Sequence, residues 1–366
     1  MAFDTGSLNF RLFYLKNDCD SSMVDSFADH VIQPLEQLHN LPLTGWIGCR
    51  HLLDREIKDE TCVIGSTLLV QSLKMEKKIP PALLRALCKQ EECKLMAERM
   101  VNFLSNRDKR EIRQRITEET KKEMPPTLES IACAFDFRER YLVATATSAK
   151  QVDALNASLK SAIDYVPTLA LPEAVALKRK QFNAKDITRA TLFTPNEDVA
   201  EPAHQSLGSE FLTWLLYAWE TGSNIWKLAD GQQFGIELLD PVTFHRDGEG
   251  AQEAVLRKGE VLRSPEAITA LMRGKTIVKI KMMVAFSEQV KMQLTLDDEF
   301  VFHSVTLPKS QAREFNAKID ERMAAIELLV AAIFTLYDAF LDLRKDAASW
   351  KAEVKKVRDW ISGLAR

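Results

Sequence analysis

The sequence predicts an α+β fold made of two related antiparallel β-sheet-plus-helix halves, with a projecting charged helical tip and an inserted base subdomain. Three observations carry this expectation. A strand, tight turn, strand and helix recur in that order: IACAFDF, RER, YLVATAT and a helix led by Ser148, then VKMQLTL, DDE, FVFHSVTL and a helix led by Ser310. In KTIVKIKMMVAF, Val278, Ile280, Met282, Val284 and Phe286 alternate onto one face, the pattern of a half-buried strand. A highly charged helical region lies between two proline pairs, Pro80-Pro81 and Pro125-Pro126.

Along the chain, LNFRLFYLK (Leu8 to Lys16) reads as the first strand, followed by a helical stretch over Ser22 to Leu38 and a turn-like LPLTGW around Gly45 and Trp46. CVIGSTLLVQSLKM, Cys62 to Met75, is rich in β-branched and apolar residues and reads as one long strand. The proline pairs open and close the next helical region, because the proline ring cannot donate to the helical ladder. The first hairpin spans Ile131 to Thr147, and Ser148 caps the helix behind it. Residues 172–274 are less regular: a basic run (Lys178, Arg179, Lys180), a loop from Thr194 to Pro202, the aromatic helix FLTWLLYAWE, and a strand pair, FGIELLD and VTFHR. The second hairpin covers Val290 to Leu307, with its helix opening at Ser310. Trp350, Val354, Val357, Ile361 and Leu364 recur at helical spacing in a terminal amphipathic helix. The expected boundaries are 1–75 with 124–171 as the first half, 76–123 as the tip, 172–274 as the inserted subdomain, 275–346 as the second half, and 347–366 as the C-terminal helix.

With 46% hydrophobic and 28% charged residues, the composition is that of an ordinary soluble globular protein. Met1 to Phe10 lack the basic and apolar regions of a secretory leader, so none is expected. The most apolar window, Ala324 to Leu341, contains Glu327 and Asp338 and reads as a buried helix rather than a membrane span. None of the six cysteines forms a CxxC pair, so reduced thiols in a cytoplasmic protein are expected, without zinc or a disulfide framework.

No Walker loop, GxSxG, HExxH or GxGxxG occurs. Asp297, Asp298 and Glu299 have the chemistry to hold Mg²⁺ for a nuclease, but they also sit where a hairpin requires polar turn residues. Asp136, Arg138, Glu139 and Arg140 occupy the equivalent turn of the first unit. His303 on its strand reads as a packed or edge histidine, and Trp214, Trp219 and Trp226 read as core or interface rather than base-stacking residues. No catalytic residue, metal or cofactor is expected. An Mg²⁺-dependent nuclease and a protein-interaction module remain as alternatives.

The charge is polarised. From Lys74 to Lys122 there are fourteen Lys or Arg against eight Asp or Glu, a local charge of +6, which leaves −9 for the rest of a chain whose formal net charge is −3. Projected at about 100° per residue, RDKREIRQRITEETKK gathers Arg107, Lys109, Arg110, Arg113 and Lys121 on one half of a helix and most of its acids on the other. With only Ile112 and Ile116 as apolar residues, such a helix either stands in solvent, laced by ion pairs, or meets a partner. A second basic surface is expected where Lys275, Lys279 and Lys281 share a strand face with Ile277, joined by Lys291 and preceded by Arg257, Lys258, Arg263 and Arg273. Seven basic residues face three acidic ones from Glu253 to Lys281, a net of +4. Two basic surfaces on an otherwise acidic protein point to a polyanion track; phosphate contacts need only Lys and Arg, so little sequence preference is expected.

Several stretches together resemble the recombination-associated protein RdgC family: Gly45-Trp46, LKMEKKIPPALLRALCKQ, the charged helical excursion, FRERYLVATATSAKQVDALNASLKSAI, and QLTLDDEFVFHSVTL with its long helix. The resemblance covers about two thirds of the chain, in two blocks. It implies a cytoplasmic, nucleoid-associated, ring-shaped homodimer that encircles double-stranded DNA without strong sequence preference. Such a ring modulates homologous recombination by limiting access of the RecA recombinase. The charged excursion is then the tip that closes the ring, and the inserted subdomain is the base. The base loop matches LRKGE, so Arg257 and Lys258 carry over as DNA contacts, while Lys275, Lys279, Lys281, Lys109, Arg110, Arg113, Lys77 and Lys78 supply further cations. Where the family has an aromatic contact after the tip, this chain has Leu128. It is also longer than a typical member across 166–250 and at the C-terminal helix. The two-faced helix either lines the hole or pairs antiparallel with its symmetry mate, a self-complementary arrangement.

Overall fold

A thirteen-stranded antiparallel sheet runs through the molecule, with ten α-helices among the described residues, so the fold is mixed α+β. The computed structural model describes the chain except residues 1–2, 17–19, 21, 39–40, 184–186, 188–190, 200–205, 223, 249, 260–263 and 365–366. In chain order, the first strands are β1 (Leu8–Tyr14), β2 (Leu43–Ile47), β3 (Val63–Ile64), β4 (Thr67–Lys77), β5 (Pro126–Asp136), β6 (Tyr141–Ala144) and β7 (Thr168–Leu169). The remaining strands are β8 (Ile225–Lys227), β9 (Gln233–His245), β10 (Glu253–Leu256), β11 (Thr276–Ala285), β12 (Lys291–Asp297) and β13 (Phe302–Thr306). The spatial order is β10-β9-β11-β12-β13-β1-β6-β5-β4-β2. β1 joins the two wings: Leu8 and Phe10 pair with β13, whereas Arg11 to Tyr14 pair with β6.

The helices are α1 (Met23–Ala28), α2 (Asp59–Cys62), α3 (Pro81–Arg99), α4 (Asn106–Glu123) and α5 (Ala149–Ile163), then α6 (Pro172–Lys180), α7 (Leu207–Thr221), α8 (Pro265–Met272), α9 (Phe315–Lys345) and α10 (Ala347–Leu364). Among the described residues α9 is the one helix long and apolar enough to cross a membrane, and 56% of its most apolar window is buried within this fold. It contributes Ile326, Ile333, Tyr337 and Phe340 to the core, where Phe211 of α7 packs edge-on against Tyr337 at 5.0 Å. Ser148 accepts the Gln151 N–H and caps α5, as its sequence predicts.

Both hairpin turns are organised by a buried aspartate. Asp136 Oδ1 accepts the N–H groups of Arg138 and Glu139, and Asp297 Oδ1 accepts those of Glu299 and Val301. The region 172–274 shares sheet and core with the segment C-terminal to it: β9 pairs with β11 across the expected 274/275 boundary, and Thr213 of α7 accepts the Ile277 N–H. At the start of α7, Ser206 Oγ donates to Asp298 Oδ2 at 2.8 Å. Gly208 lies so close to this turn that a Cβ would stand 1.9 Å from the Asp298 carbonyl oxygen.

Several local expectations are corrected. The helix expected over Ser22 to Leu38 ends at Ala28; Pro34 cannot continue it, and the chain instead lies along β2, with the Ile32 N–H donating to the Trp46 carbonyl. LPLTGW is not a turn but carries strand β2, and its Trp46 is buried against Phe27. The single strand expected over Cys62 to Met75 is a hairpin, because Gly65 takes a positive φ of 58° and reverses the chain between β3 and β4. The helix expected from Ser310 opens at Phe315. The basic run Lys178 to Lys180 is absorbed by packing: Lys178 lies over the Tyr14 ring, Arg179 pairs with Asp338, and Lys180 pairs with Asp342.

Candidate nucleic-acid interface

β11 presents Lys279 and Lys281 on the outer face of the sheet, while Ile280, Met282 and Val284 enter the core. A bulge explains this division. Ile277 pairs with Phe244 and Lys279 with Thr243, so Val278 is an extra residue that reverses the alternation. The expectation that Ile277 shares the lysine face is therefore wrong: it is completely buried. Lys279 and Lys281, two residues apart, place cations about 7 Å apart along the strand. Next to them on β12, Thr295, Gln293 and the exposed Lys291 continue the same face. Among the described residues, Lys279, Lys281 and Lys291 form no ion pair. Asp297 on β12 lies opposite Lys279 in register, but its carboxylate is taken up by His303 and by the N–H groups of Glu299 and Val301; Glu237 on β9 lies opposite Met283.

Other expected cations stand apart from this face. Lys275, before β11, is turned away to donate to the Ala251 carbonyl at 2.7 Å. Arg257 is exposed directly beyond β10; Lys258, with a φ of 66°, forms the next turn and its N–H donates to Asp240 Oδ2 at 2.7 Å. Arg263 lies outside the described residues.

The tip is a helical hairpin. Ser105 accepts the Asp108 N–H to start α4, and Ile112, the one buried residue of that helix, packs toward α3. Arg115, which interrupts the two-faced charge pattern, pairs with Glu91 of α3. The acidic half is thereby partly engaged, with Arg107 on Glu111 and Arg99 on Asp108. Lys109, Arg110 and Arg113 instead line a cleft of about 790 Å³ with Arg85 and Lys89 of α3, against Glu92 as its acid. The contributions of Arg85 and Lys89 were legible only as two cations one helical turn apart. At the base of the hairpin, Lys77 donates to the Lys122 carbonyl at 2.8 Å and Lys78 pairs with Glu129. Six strand-to-strand steps separate β11 from β4, which carries the tip, a distance of about 29 Å along the sheet.

The hairpin ends in exposed apolar residues that charge counting overlooked. Met100, in a left-handed conformation at the end of α3, is 93% exposed, and Phe103 is 82% exposed. Leu128 is half-buried and packs on a small cluster with Leu73 and Met75.

The acidic trio does not converge. Asp297 is buried and meets His303 Nε2 at 2.8 Å, Asp298 accepts from Ser206, and Glu299 pairs with Arg11. Burial pushes the Asp298 carboxyl up to about 6. Among the described residues no group of three or more His, Cys, Asp or Glu side chains is placed to hold a metal ion. Trp214 is buried and its Nε1 donates to Glu353, whereas Trp219 and Trp226 pack partly buried against the core. No protein-family model matches the chain, and no curated protein sequence matches it significantly.

Proposed function

We propose that the protein is a non-catalytic, sequence-independent binder of double-stranded DNA of the RdgC type. In this reading a ring-shaped homodimer encircles the duplex and modulates homologous recombination by limiting recombinase access. One observation carries the reading: among the described residues Lys279, Lys281 and Lys291 form no ion pair on their sheet face, the Asp297 carboxylate opposite Lys279 being held by His303 and its own turn, in a protein whose net charge is −3. Elsewhere, as at Arg179 and Lys180, cations are paired with acids within the fold. Unneutralised cations on a sheet face attract phosphates and release counterions, with no base-reading chemistry required.

The ring belongs to the same proposal. The two wings flanking β1, each with an aspartate-organised hairpin, act as related halves. The α3–α4 hairpin offers Met100 and Phe103 to its symmetry mate, and its cationic cleft complements the acidic side of the mate's α4. Arg257 and Lys258 extend the phosphate track at the base. The protein acts in the cytoplasm at the nucleoid, by occupying DNA.

A mobility-shift titration of a duplex of arbitrary sequence across salt concentrations tests this. Neutralising about six phosphates gives a log–log slope of binding constant against salt near −5. Replacing Lys279 and Lys281 by Glu lowers affinity uniformly across sequences. No binding at low salt would overturn the proposal.

A further inference from the structure

Cys49 and Cys62 lie at the two ends of a loop that leaves the sheet and returns to nearly the same point. Ile47 of β2 pairs with Gln71 of β4, and Val63 of β3 pairs with Leu68 on the same edge. Only Leu69 and Val70 separate these pairings, so the chain returns within about 7 to 10 Å of its departure, and residues one or two positions inside the loop are drawn closer still. Cα atoms joined by a disulfide stand roughly 4.4–6.8 Å apart, a separation this convergence permits.

Both sulfur atoms border Thr61. Cys49 Sγ lies 3.2 Å from the Thr61 carbonyl oxygen, and Cys62 Sγ lies 3.6 Å from Thr61 Oγ1. Both residues are fully buried, and Cys62 Sγ also lies 3.9 Å from the Glu56 carbonyl oxygen inside the same loop. The influence of each thiol on the other draws Cys62 down and pushes Cys49 up, which favours Cys62 as the attacking sulfur. Cys133 lacks such a partner, and burial alone raises it.

We infer that Cys49 and Cys62 form a reversible disulfide clasp, oxidised by a small peroxide, that closes the loop from Arg50 to Thr61. The Cys62 thiolate attacks one peroxide oxygen; the O–O bond breaks, and the departing hydroxide takes up a proton to leave as water. Cys49 sulfur then attacks the resulting Cys62 sulfenic acid; the S–O bond breaks, the Cys49 proton leaves with that oxygen, and a second water departs. Two thiols are oxidised and one hydrogen peroxide is reduced to two waters. Hydrogen peroxide is small and uncharged, so brief opening of the loop suffices for entry.

The loop gives the clasp a consequence. It is held by Asp54, whose carbonyl accepts the Gly48 N–H at 2.7 Å and whose carboxylate accepts the N–H groups of Arg50 and Glu56. It displays Leu52 and Leu53 to solvent beside Arg50 and Arg55. Closing the loop at both ends restricts the states in which this surface is presented.

Titration of the reduced full-length protein with hydrogen peroxide, alkylation of remaining thiols in denaturant, and tryptic peptide mapping test the inference. Expected are a disulfide-linked pair of peptides containing Cys49 and Cys62, loss of alkylation at both positions together, and restoration by dithiothreitol. Cys49→Ala removes both the resolving thiol and the neighbour that lowers Cys62, so Cys62 oxidises more slowly and stops at a sulfenic acid that dimedone traps; in Cys62→Ala, Cys49 stays reduced. Full alkylation of Cys49 and Cys62 at peroxide levels that oxidise the exposed Cys93 overturns the inference, as does oxidation of either one without linkage to the other. Because the wild-type map alone decides between these outcomes, a variant that fails to fold leaves the test intact.

Discussion

Glu327 lies on the part of α9 that meets the β5–β6 turn, where Arg138 pairs with it and Asp136, Glu139 and Tyr141 stand nearby. Burial, and then Asp136 beside it, pushes its carboxyl up to about 7 from an ordinary 4.5. The folded protein thus keeps a proton that the unfolded chain releases between these values. This contribution to stability is complete below about pH 4.5 and is lost as pH rises toward 7. Asp298, raised to about 6 by burial, acts in the same direction. Thermal melts of the wild type and Glu327→Gln across pH 5 to 8 should show the variant gaining relative stability as pH rises; parallel curves would refute the assignment. Arg344 and Glu210 form a different kind of buried pair, 3.1 Å apart with side chains 7% and 0% exposed. Arg344→Met leaves the Glu210 carboxylate stranded and should cost about 3–5 kcal/mol in denaturant unfolding, with much of the loss recovered in the double variant Arg344→Met/Glu210→Gln. Neither pairing was legible from residue order, since each joins positions more than a hundred residues apart.

Helices and strands with strong local signals formed where their residues predict them. Ser148 caps α5, and the proline pairs frame the tip, within which the structure adds a break and a second cap at Ser105. The failures came where a long-range partner overrode a local signal: β2 reads as a turn until β4 supplies its hydrogen bonds, and Val31 and Ile32 leave a helical pattern to lie beside Trp46. The α3–α4 hairpin has little of its own core, with Ile112 its principal buried anchor. Ile112→Ala should accelerate amide hydrogen exchange in both hairpin helices while leaving β11 and β12 protected, because the local loss of about 2 kcal/mol does not reach the sheet. Gly208→Ala sets a methyl group against the Asp298 carbonyl and should unseat α7, lowering the melting temperature by several degrees or more.

At the scale of the whole molecule, charge is sorted into two places, the sheet face bearing Lys279 and Lys281 and the cleft bearing Lys109, Arg110 and Arg113, with the sheet as the rigid spacer between them. If both sites hold one duplex, reversing charge at either weakens DNA binding, and each removal of a phosphate contact reduces the salt slope by about 1. The apolar end of the tip makes a separate prediction. If the proposed dimer closes through the tip, Met100→Ser with Phe103→Ser should shift sedimentation toward monomer while the fold of each chain is kept, because both side chains are solvent-exposed in the isolated chain.

Residue order alone established the α+β class, the two hairpins, the Ser148-capped helix and the concentration of positive charge, because periodicity, capping and proline chemistry act within a few residues. Tertiary structure decided which cations remain free. One extra residue at Val278 sends Ile277 inward and leaves Lys279 and Lys281 outside, while packing commits Lys178, Arg179 and Lys275 to internal partners. Tertiary structure also brought Cys49 to Cys62, through two pairings on one strand edge. Strand register and ion pairing are properties of residues distant in sequence, so neither is encoded in any single stretch of it.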